Sequence, residues 1–508
     1  MKGNVLEYLE QTASRVPERI AFCDDHTILT FARLYNLARA AGSRLARILP
    51  PRGVAAVLMD GRSIDCIPAF LGAAYAGGAY APLDPSMPAE RLALILSQMR
   101  PDCILTDDKG RKALDNLDRT FAPEIDFSEA SRTAVDEQLL DSIRARSGVY
   151  DPLSILYTSG STGIPKGSIQ SHSSYINYTE ATIDVYGFDE QVVFGNQSPF
   201  FYANSIIDIF PPIALGAQVY LFPPGSLSFP HQFLACLREH GVTELTMTPS
   251  SFIAVSEALE AGCLPKLRYG IMSGEKMPWR PLQRWMKAAP QAGFYNFYGS
   301  TEAFSVAVGR VDLEYTDGDL LPVGRPFRQA DIVFLDDKEN EADPQTGGEM
   351  LISNPWLSSG YHRDTERTAA AFPIDPMRRG YFERFYRTGD IGRLNARGEL
   401  LVTGRADTQI KHHGYRMELG EVEAALRSLP EWLDGCVLYD NASAELCCFW
   451  TGPLTQKELS SALRGKLPRY MLPERFVHLD AMPHTATMKI DRMALCSAYM
   501  SSGRNAPD

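Results

Sequence analysis

The run Thr158–Gly167, reading Thr-Ser-Gly-Ser-Thr-Gly-Ile-Pro-Lys-Gly, constrains this chain more than any other stretch. It follows Leu153–Tyr157, a short apolar run that reads as a buried strand. Gly160, Gly163 and Gly167 leave little side chain between the backbone and whatever approaches it. Successive N–H groups in such a loop form a concave nest for an anion. Thr158, Ser159, Ser161 and Thr162 add hydroxyl donors, and Lys166 adds a positive charge. Together they read as a phosphate cradle placed at a strand end. A Walker A loop needs Gly-Lys followed by Ser or Thr. Here Lys166 lies between Pro165 and Gly167, which argues against a P-loop kinase or ATPase. A plain surface loop would explain the same residues taken alone, so the reading depends on what accompanies them.

The chain has 508 residues, too many for one hydrophobic core, so two or more domains are expected. Its net charge of −12 argues against a nucleic-acid partner. The same charge repels a nucleoside triphosphate at long range, so a local positive site has to be built, with Mg²⁺ as one contributor. The longest apolar stretch, Cys66–Pro82, is broken by Pro68, Gly72, Gly77 and Gly78 and does not read as a membrane span. The acidic residues near the N-terminus do not suit a signal peptide. The nine cysteines are scattered without a Cys-x-x-Cys pair, as expected of reduced thiols in a cytoplasmic protein.

Periodicity predicts a helix over Val5–Arg15 and a second opened by Leu29-Thr30-Phe31. A strand over Val54–Met59, a helix over Ile64–Ala76, an extended Tyr80–Pro85 and a helix over Ala89–Met99 follow. Alternation of this kind predicts a mostly parallel α/β sheet. Further strands are predicted at Val192–Phe194, Gln218–Phe222, Glu244–Met247 and Tyr269–Met272. Ile332–Phe334 and Glu349–Ile352 read as antiparallel, and Asp107–Gly148 is weakly patterned. From Arg387 glycines punctuate short strands as far as Gly404-Arg405-Ala406-Asp407, where a domain junction is expected. A helix at Gly420–Leu429 and strands at Cys436–Tyr439 and Leu446–Trp450 belong to the compact last hundred residues.

Five further motifs join the cradle. They are Tyr75–Asp84, Asn296-Phe297-Tyr298-Gly299-Ser300-Thr301-Glu302, Tyr386-Arg387-Thr388-Gly389-Asp390, Gly404–Asp407 followed by Lys411–Leu419, and Met488-Lys489-Ile490-Asp491-Arg492. In this order and spacing they resemble the adenylate-forming superfamily of acyl-CoA synthetases, peptide-synthetase adenylation domains and luciferases. The resemblance runs from about Leu29 to Arg492. It is strongest to free-standing amino-acid adenylation enzymes such as D-alanine–carrier-protein ligases, through Gln409-Ile410-Lys411 and Gly414–Leu419.

The fold so implied is α/β. A large N-terminal core, residues 1–406, holds α/β subdomains and a β-barrel-like subdomain. A small mobile α+β domain, residues 407–508, swings about a hinge at Asp407. The implied reaction joins a carboxylate to the α-phosphorus of ATP. Two anions must meet, so positive charge has to be supplied between them. The resemblance assigns the cradle and Lys166 to the β- and γ-phosphates, Glu302 to Mg²⁺, and Thr301 to the α-phosphate. It assigns Tyr298 to stacking on adenine, Asn296 to the adenine edge, Asp390 and Arg405 to the ribose, and Lys489 to the attacking carboxylate. Gly274, Gly299 and Ser300 complete the ATP site. Gly414 matches the glycine of a channel for a pantetheine arm.

By the same correspondence the acid pocket is lined by Ala203, Asn204, Ile207, Thr246, Ile271, Ser273, Phe297, Ser305 and Val306. Here the sequence departs from its relatives. Ala203 stands where an aspartate usually binds the substrate's amine, and a methyl group cannot pair with an ammonium. Either the substrate lacks an α-ammonium group or another residue binds it; Asn204 is the nearest polar candidate, and Asp208 matches a common structural acid. Ser300 replaces a usual proline and Met488 a usual glycine. A small or medium acid of some polarity is expected. No carrier-type Gly-Gly-x-Ser motif follows, so the expected acceptor is the phosphopantetheine of a separate carrier protein. Acyl- or aryl-CoA ligation is the alternative, and an inactive nucleotide-binding scaffold a more remote one.

Overall fold

The computed structural model describes residues 2–500 except 161–163, 312–314, 316–319, 378–379, 381, 407–408, 441 and 486–489. By contact the chain forms two compact units. One comprises Met1–Pro85, Leu96–Tyr157 and Gly167–Asp407; the other comprises Ser86–Ile95, Thr158–Lys166 and Thr408–Asp508.

The first unit is built on a nine-stranded sheet. In chain order its strands are β1 Ile20–Cys23, β2 Ile28–Thr30, β3 Val193–Asn196, β4 Gln218–Leu221, β5 Glu244–Met247, β6 Tyr269–Ser273, β7 Gly293–Ser300, β8 Phe304–Arg310 and β9 Arg325–Pro326. Their order in space is β9-β8-β7-β6-β5-β3-β4-β1-β2. The pairs β3/β4, β3/β5, β5/β6 and β6/β7 are all parallel. The chain therefore steps from β3 to β4 in one direction, then returns past β3 to place β5 on its other side. In an open parallel sheet such a reversal leaves a crevice at the carboxyl ends of the two strands concerned.

A seven-stranded sheet carries Val54–Leu58 paired in parallel with Ala79–Leu83 and with Cys103–Thr106. Residues on both sheets share one buried cluster, in which Phe22, Phe31, Phe70, Tyr175, Phe194, Phe210 and Trp356 are prominent. Helix formation at the second predicted helix begins later than expected. Ile28–Thr30 pairs antiparallel with β1, and the Thr30 hydroxyl accepts the Arg33 N–H to cap a helix over Phe31–Leu45. The weakly patterned 107–148 region holds helices Asp108–Asp115 and Glu137–Arg144, each started by an aspartate cap. The region expected to be barrel-like contains a four-stranded antiparallel sheet ordered Asp331–Leu335, Gly348–Ser353, Tyr386–Leu394, Leu400–Arg405.

In the second unit, Gln409–His412 and Tyr415–Glu418 form a hairpin. His413 and Gly414 turn it with φ of +50° and +83°, the left-handed geometry of a two-residue hairpin turn. Asp434–Asp440, Glu445–Thr451 and Arg475–His478 form a three-stranded sheet. Helices Leu419–Arg427 and Gln456–Lys466 pack on it through Val422, Leu426, Leu459 and Leu463. All nine cysteines are free thiols. Among the described residues no helix is long and apolar enough to cross a membrane.

Candidate active site

Strand β7 delivers the Asn296–Ser300 motif, and its last residues turn sharply into β8. Gly299 lies opposite Ser305 at a register shift, and a Cβ there would sit 2.1 Å from the Phe304 carbonyl oxygen. Only glycine fits that close approach. Tyr298 is buried, and its hydroxyl donates to the Asp390 carboxylate. Arg405 donates to the other oxygen of the same carboxylate and to the Thr388 carbonyl at 3.2 Å. The Thr388 hydroxyl in turn accepts the Asp390 N–H at 2.9 Å. Asp390 and Arg405 face each other across the strands Tyr386–Leu394 and Leu400–Arg405. Burial, then the Asp390 charge, pushes the Tyr298 hydroxyl well above its usual range, so it stays protonated as a donor. An ionised carboxylate has about four acceptor positions, so Asp390 has room for further donors beside Tyr298 and Arg405.

Glu302 is fully buried directly after β7. The Tyr361 hydroxyl donates to its Oε1 at 2.9 Å, and the Ser358 N–H donates to its carbonyl at 2.8 Å. One carboxylate with phosphate and water oxygens is a donor set that suits Mg²⁺. The Thr301 carbonyl accepts from Gln170 Nε2 at 2.9 Å. Ser300 Oγ is buried with no partner among the described residues. Asn296 is buried and donates to the Pro322 carbonyl at 3.1 Å. Gly274 follows β6 with φ +98° and open space where a Cβ would stand. Thr388, Tyr361 and Gln170 hold the predicted residues in place, and sequence reasoning gave them no role. Tyr361 and Gln170 lie far along the chain from their partners, so residue spacing carried no signal of the contact.

The cradle segment belongs to the second unit. Ser159 Oγ donates to the Arg416 carbonyl at 3.0 Å there, and Thr158 Oγ1 is buried with no partner among the described residues. Gly160 follows the strand Pro152–Thr158, and Lys166 begins the strand Lys166–Ser171. In the same unit, Arg91 and Glu421 form a buried ion pair. His412, His413 and Glu474 offer three ligand atoms within 4.8 Å of one another, a set able to hold a metal ion. Ser161, Thr162, Gly163, Asp407 and Lys489 lie outside the described residues.

Around the β3/β5 crevice, Ile207, Ile271 and Phe297 share one buried cluster, and the partly buried Ala203 packs against it. Thr246 and Ser273 are buried on β5 and β6. Ser305 on β8 exchanges a hydrogen bond with Tyr178 at 2.9 Å. Val306, the bulged residue between Ser305 and Ala307, is fully buried in another cluster, with Phe334, Met350 and Tyr361. Asn204 lies in the first turn of a 3-10 helix, Ala203–Asp208, and is partly exposed.

Two acids in and beneath this crevice were missed or left without a role by sequence reasoning. Glu244, the first residue of β5, has no exposure, and Thr246 donates to its Oε1 at 2.6 Å. Asp208 is buried, and Asn196 Nδ2 donates to its Oδ2 at 2.8 Å. Among the described residues their other oxygens, Asp208 Oδ1 and Glu244 Oε2, have no partner. Burial pushes Asp208 up to about 8. Burial, reinforced by the Asp208 charge, pushes Glu244 well above the carboxylate range. A charged residue inside the short run Glu-Leu-Thr-Met was the signal available in the sequence.

A family model described as AMP-binding enzyme matches residues 9–362. A dimodular nonribosomal peptide synthase of Bacillus subtilis is 30% identical over 514 residues, covering 96% of this chain and 21% of the relative. The chain thus spans about a fifth of that protein's length. A D-alanine–D-alanyl carrier protein ligase of Lacticaseibacillus rhamnosus is 28% identical over 513 residues, covering 97% of this chain and 99% of the relative. A solved o-succinylbenzoate CoA synthetase of Bacillus subtilis superposes with a TM-score of 0.83 over 98% of each chain at 21% identity, which shows a shared fold. Matched by that model over more than half its length, the chain belongs to the AMP-binding enzyme family, within the adenylate-forming superfamily that its motifs resemble.

Proposed function

We propose that this chain uses ATP to activate a small carboxylic acid, an amino acid or one like it, and passes the acyl group to the phosphopantetheine thiol of a separate carrier protein. The observation that carries the reading is Asp390, fixed between Tyr298 and Arg405 on the unit that also holds the β3/β5 crevice. It supplies a nucleoside anchor and an acid pocket within one compact body. The D-alanyl carrier protein ligase, of which the chain covers 99%, supports the choice of acceptor.

In the first step a carboxylate oxygen attacks the α-phosphorus. The bond from that phosphorus to the bridging oxygen breaks, and pyrophosphate leaves; no proton moves. Asp390 and Arg405 hold the ribose, and Tyr298 keeps Asp390 oriented while its ring stacks on adenine. Thr301 meets the α-phosphate, and the 158–167 loop with Lys166 holds the outer phosphates. Glu302 would hold Mg²⁺, which supplies positive charge to the phosphate oxygens. Lys489 neutralises the meeting of the two anions. In the second step the thiol sulfur attacks the acyl carbon, the bond to AMP breaks, and the thiol proton goes to solvent. Asp407 serves as the hinge and Gly414 as the channel residue.

ATP–pyrophosphate exchange across a panel of carboxylic acids tests the first step. Lys489→Ala is expected to reduce exchange on the order of 100-fold, as loss of a transition-state charge partner does. Exchange unchanged in that variant would remove the assigned role. Acyl transfer to holo carrier protein against coenzyme A tests the second step, and transfer to coenzyme A alone would replace the proposed acceptor.

A further inference from the structure

The reversal of winding order at β3, which has β4 on one side and β5 on the other, lies where open parallel sheets bind their ligands. Asn196 ends β3, Asp208 ends the 3-10 helix that follows it, and Glu244 and Thr246 lie on β5. Glu244 opens β5 level with Phe194, two residues before the carboxyl-end Asn196, so its buried carboxylate lies beneath the crevice rather than at its mouth, and there it feels the Asp208 charge. Among the described residues neither has a lysine, arginine or histidine partner. Their hydrogen-bond partners are the neutral Asn196 and Thr246. The other titratable groups facing them are Tyr178 beside Asp208 and Tyr186 beside Glu244. Burial raises both tyrosines, so neither supplies or removes charge near neutral pH.

Among the described residues three oxygens of these acids and tyrosines are left without partners: Asp208 Oδ1, Glu244 Oε2 and the hydroxyl of Tyr186, which is 6% exposed. Buried polar atoms in native proteins are almost always satisfied. An ammonium group brings three N–H donors and one positive charge. That inventory matches three orphaned acceptors and two carboxylates short of a cation. Ala203, meanwhile, offers nothing to an ammonium at the usual position.

We propose that Asp208 and Glu244 form the cation-binding end of the acid pocket, and that the activated acid carries its ammonium group away from the carbon next to its carboxylate. This substrate class rests on the ligase reading and narrows it. Without substrate, burial keeps the pair protonated. Binding of the ammonium displaces a proton to solvent, and the bound cation then faces an ionised carboxylate.

The test is ATP–pyrophosphate exchange by the full chain with straight-chain acids bearing an amine on carbon 3, 4 or 5. Each is set against its isosteric neutral acid (butanoate, pentanoate, hexanoate), with L-alanine as the α-amino comparison. At least one amino acid of the series is expected to exceed its neutral isostere tenfold in kcat/KM. Its KM is expected to fall as pH rises from 6.5 to 8.5, while that of the neutral acid stays level. Glu244→Gln is expected to lower the preference for the amino acid over its neutral isostere at least tenfold. The wild-type pH profile carries the test if the variant fails to fold. Equal use of amino and neutral acids, or best exchange with L-alanine, would overturn the inference and leave the ligase reading standing. Exchange with no acid at all would overturn both.

Discussion

Asp390 and Asp208 are both poorly exposed aspartates in the same unit, yet their surroundings are opposite. Asp390 has a guanidinium on one oxygen and a phenol on the other. Asp208 has an amide on one oxygen, nothing on the other, and a second buried acid beside it. The first carboxylate has its countercharge supplied by the chain itself. The second is held neutral by burial. A carboxylate with its cation built in suits a task that never changes, such as gripping a ribose. One that lacks a cation is poised to respond to a ligand that brings it.

The comparison is broken most directly by deleting each carboxylate. Asp390→Ala removes the carboxylate from the Arg405 guanidinium, which is 18% exposed. Breaking such a pair from one side costs about 3 kcal/mol, and urea unfolding is expected to show a loss of that size together with loss of nucleotide-dependent exchange. Retention of ATP binding in this variant would show that Asp390 is no nucleoside anchor.

Val306→Ala comes next. Val306 is a fully buried methyl-bearing side chain in the cluster with Phe334 and Met350, and its truncation is expected to cost about 2 kcal/mol without altering which acid is preferred. Ser305→Ala should do the reverse, changing acid preference at a cost of about 1 kcal/mol. If Val306→Ala reorders the acid panel, Val306 lines the acid pocket and not only the cluster with Phe334 and Met350.

Glu244→Gln has the opposite sign to Asp390→Ala. A carboxyl whose folded pKa is raised contributes full stability below the unfolded value and loses it as pH rises through the folded one. For this pair the window runs from the ordinary carboxylate range, about 4, up through the Asp208 value of about 8. Replacing Glu244 with a neutral isostere removes part of that slope. The variant is expected to match the wild type at pH 5 and to exceed it by about 1 kcal/mol at pH 9. Thermal unfolding at the two pH values measures it, and a variant less stable at pH 9 than the wild type would contradict the neutral-pair account.

Much of this architecture could be read from the letters because it is local. Ala89–Met99, Glu244–Met247 and the antiparallel pairing of Ile332–Phe334 with Glu349–Ile352 all follow from periodicity, and the structure has them. The Ile28–Thr30 strand was hidden because its partner, β1, and not its own pattern, makes it extended. At the site, the motifs marked Tyr298, Glu302, Asp390 and Arg405, since each lies in a short, dense run. What remained hidden are the partners that hold them: Tyr361 is 59 residues from Glu302, and Gln170 is 131 from Thr301. Pairing at that separation is set by strand order, which no window of sequence contains.

The finest cut at the comparison is Tyr298→Phe. The hydroxyl is one of two donors to Asp390, and Arg405 remains when it is gone. The carboxylate therefore keeps its countercharge and loses only an orienting bond. Removing one hydrogen bond of this kind costs about 1 kcal/mol, which corresponds to about a fivefold change in an equilibrium constant. The ring stays in its cluster with Ala303, Val306 and Tyr386, so unfolding should shift little more than that amount. The expected outcome is a severalfold rise in KM for ATP with kcat nearly unchanged, measured in the exchange assay. A large fall in kcat with KM held constant would mean that the hydroxyl touches the reacting phosphate, and the division between a nucleoside anchor and a substrate-responsive acid pair would have to be redrawn.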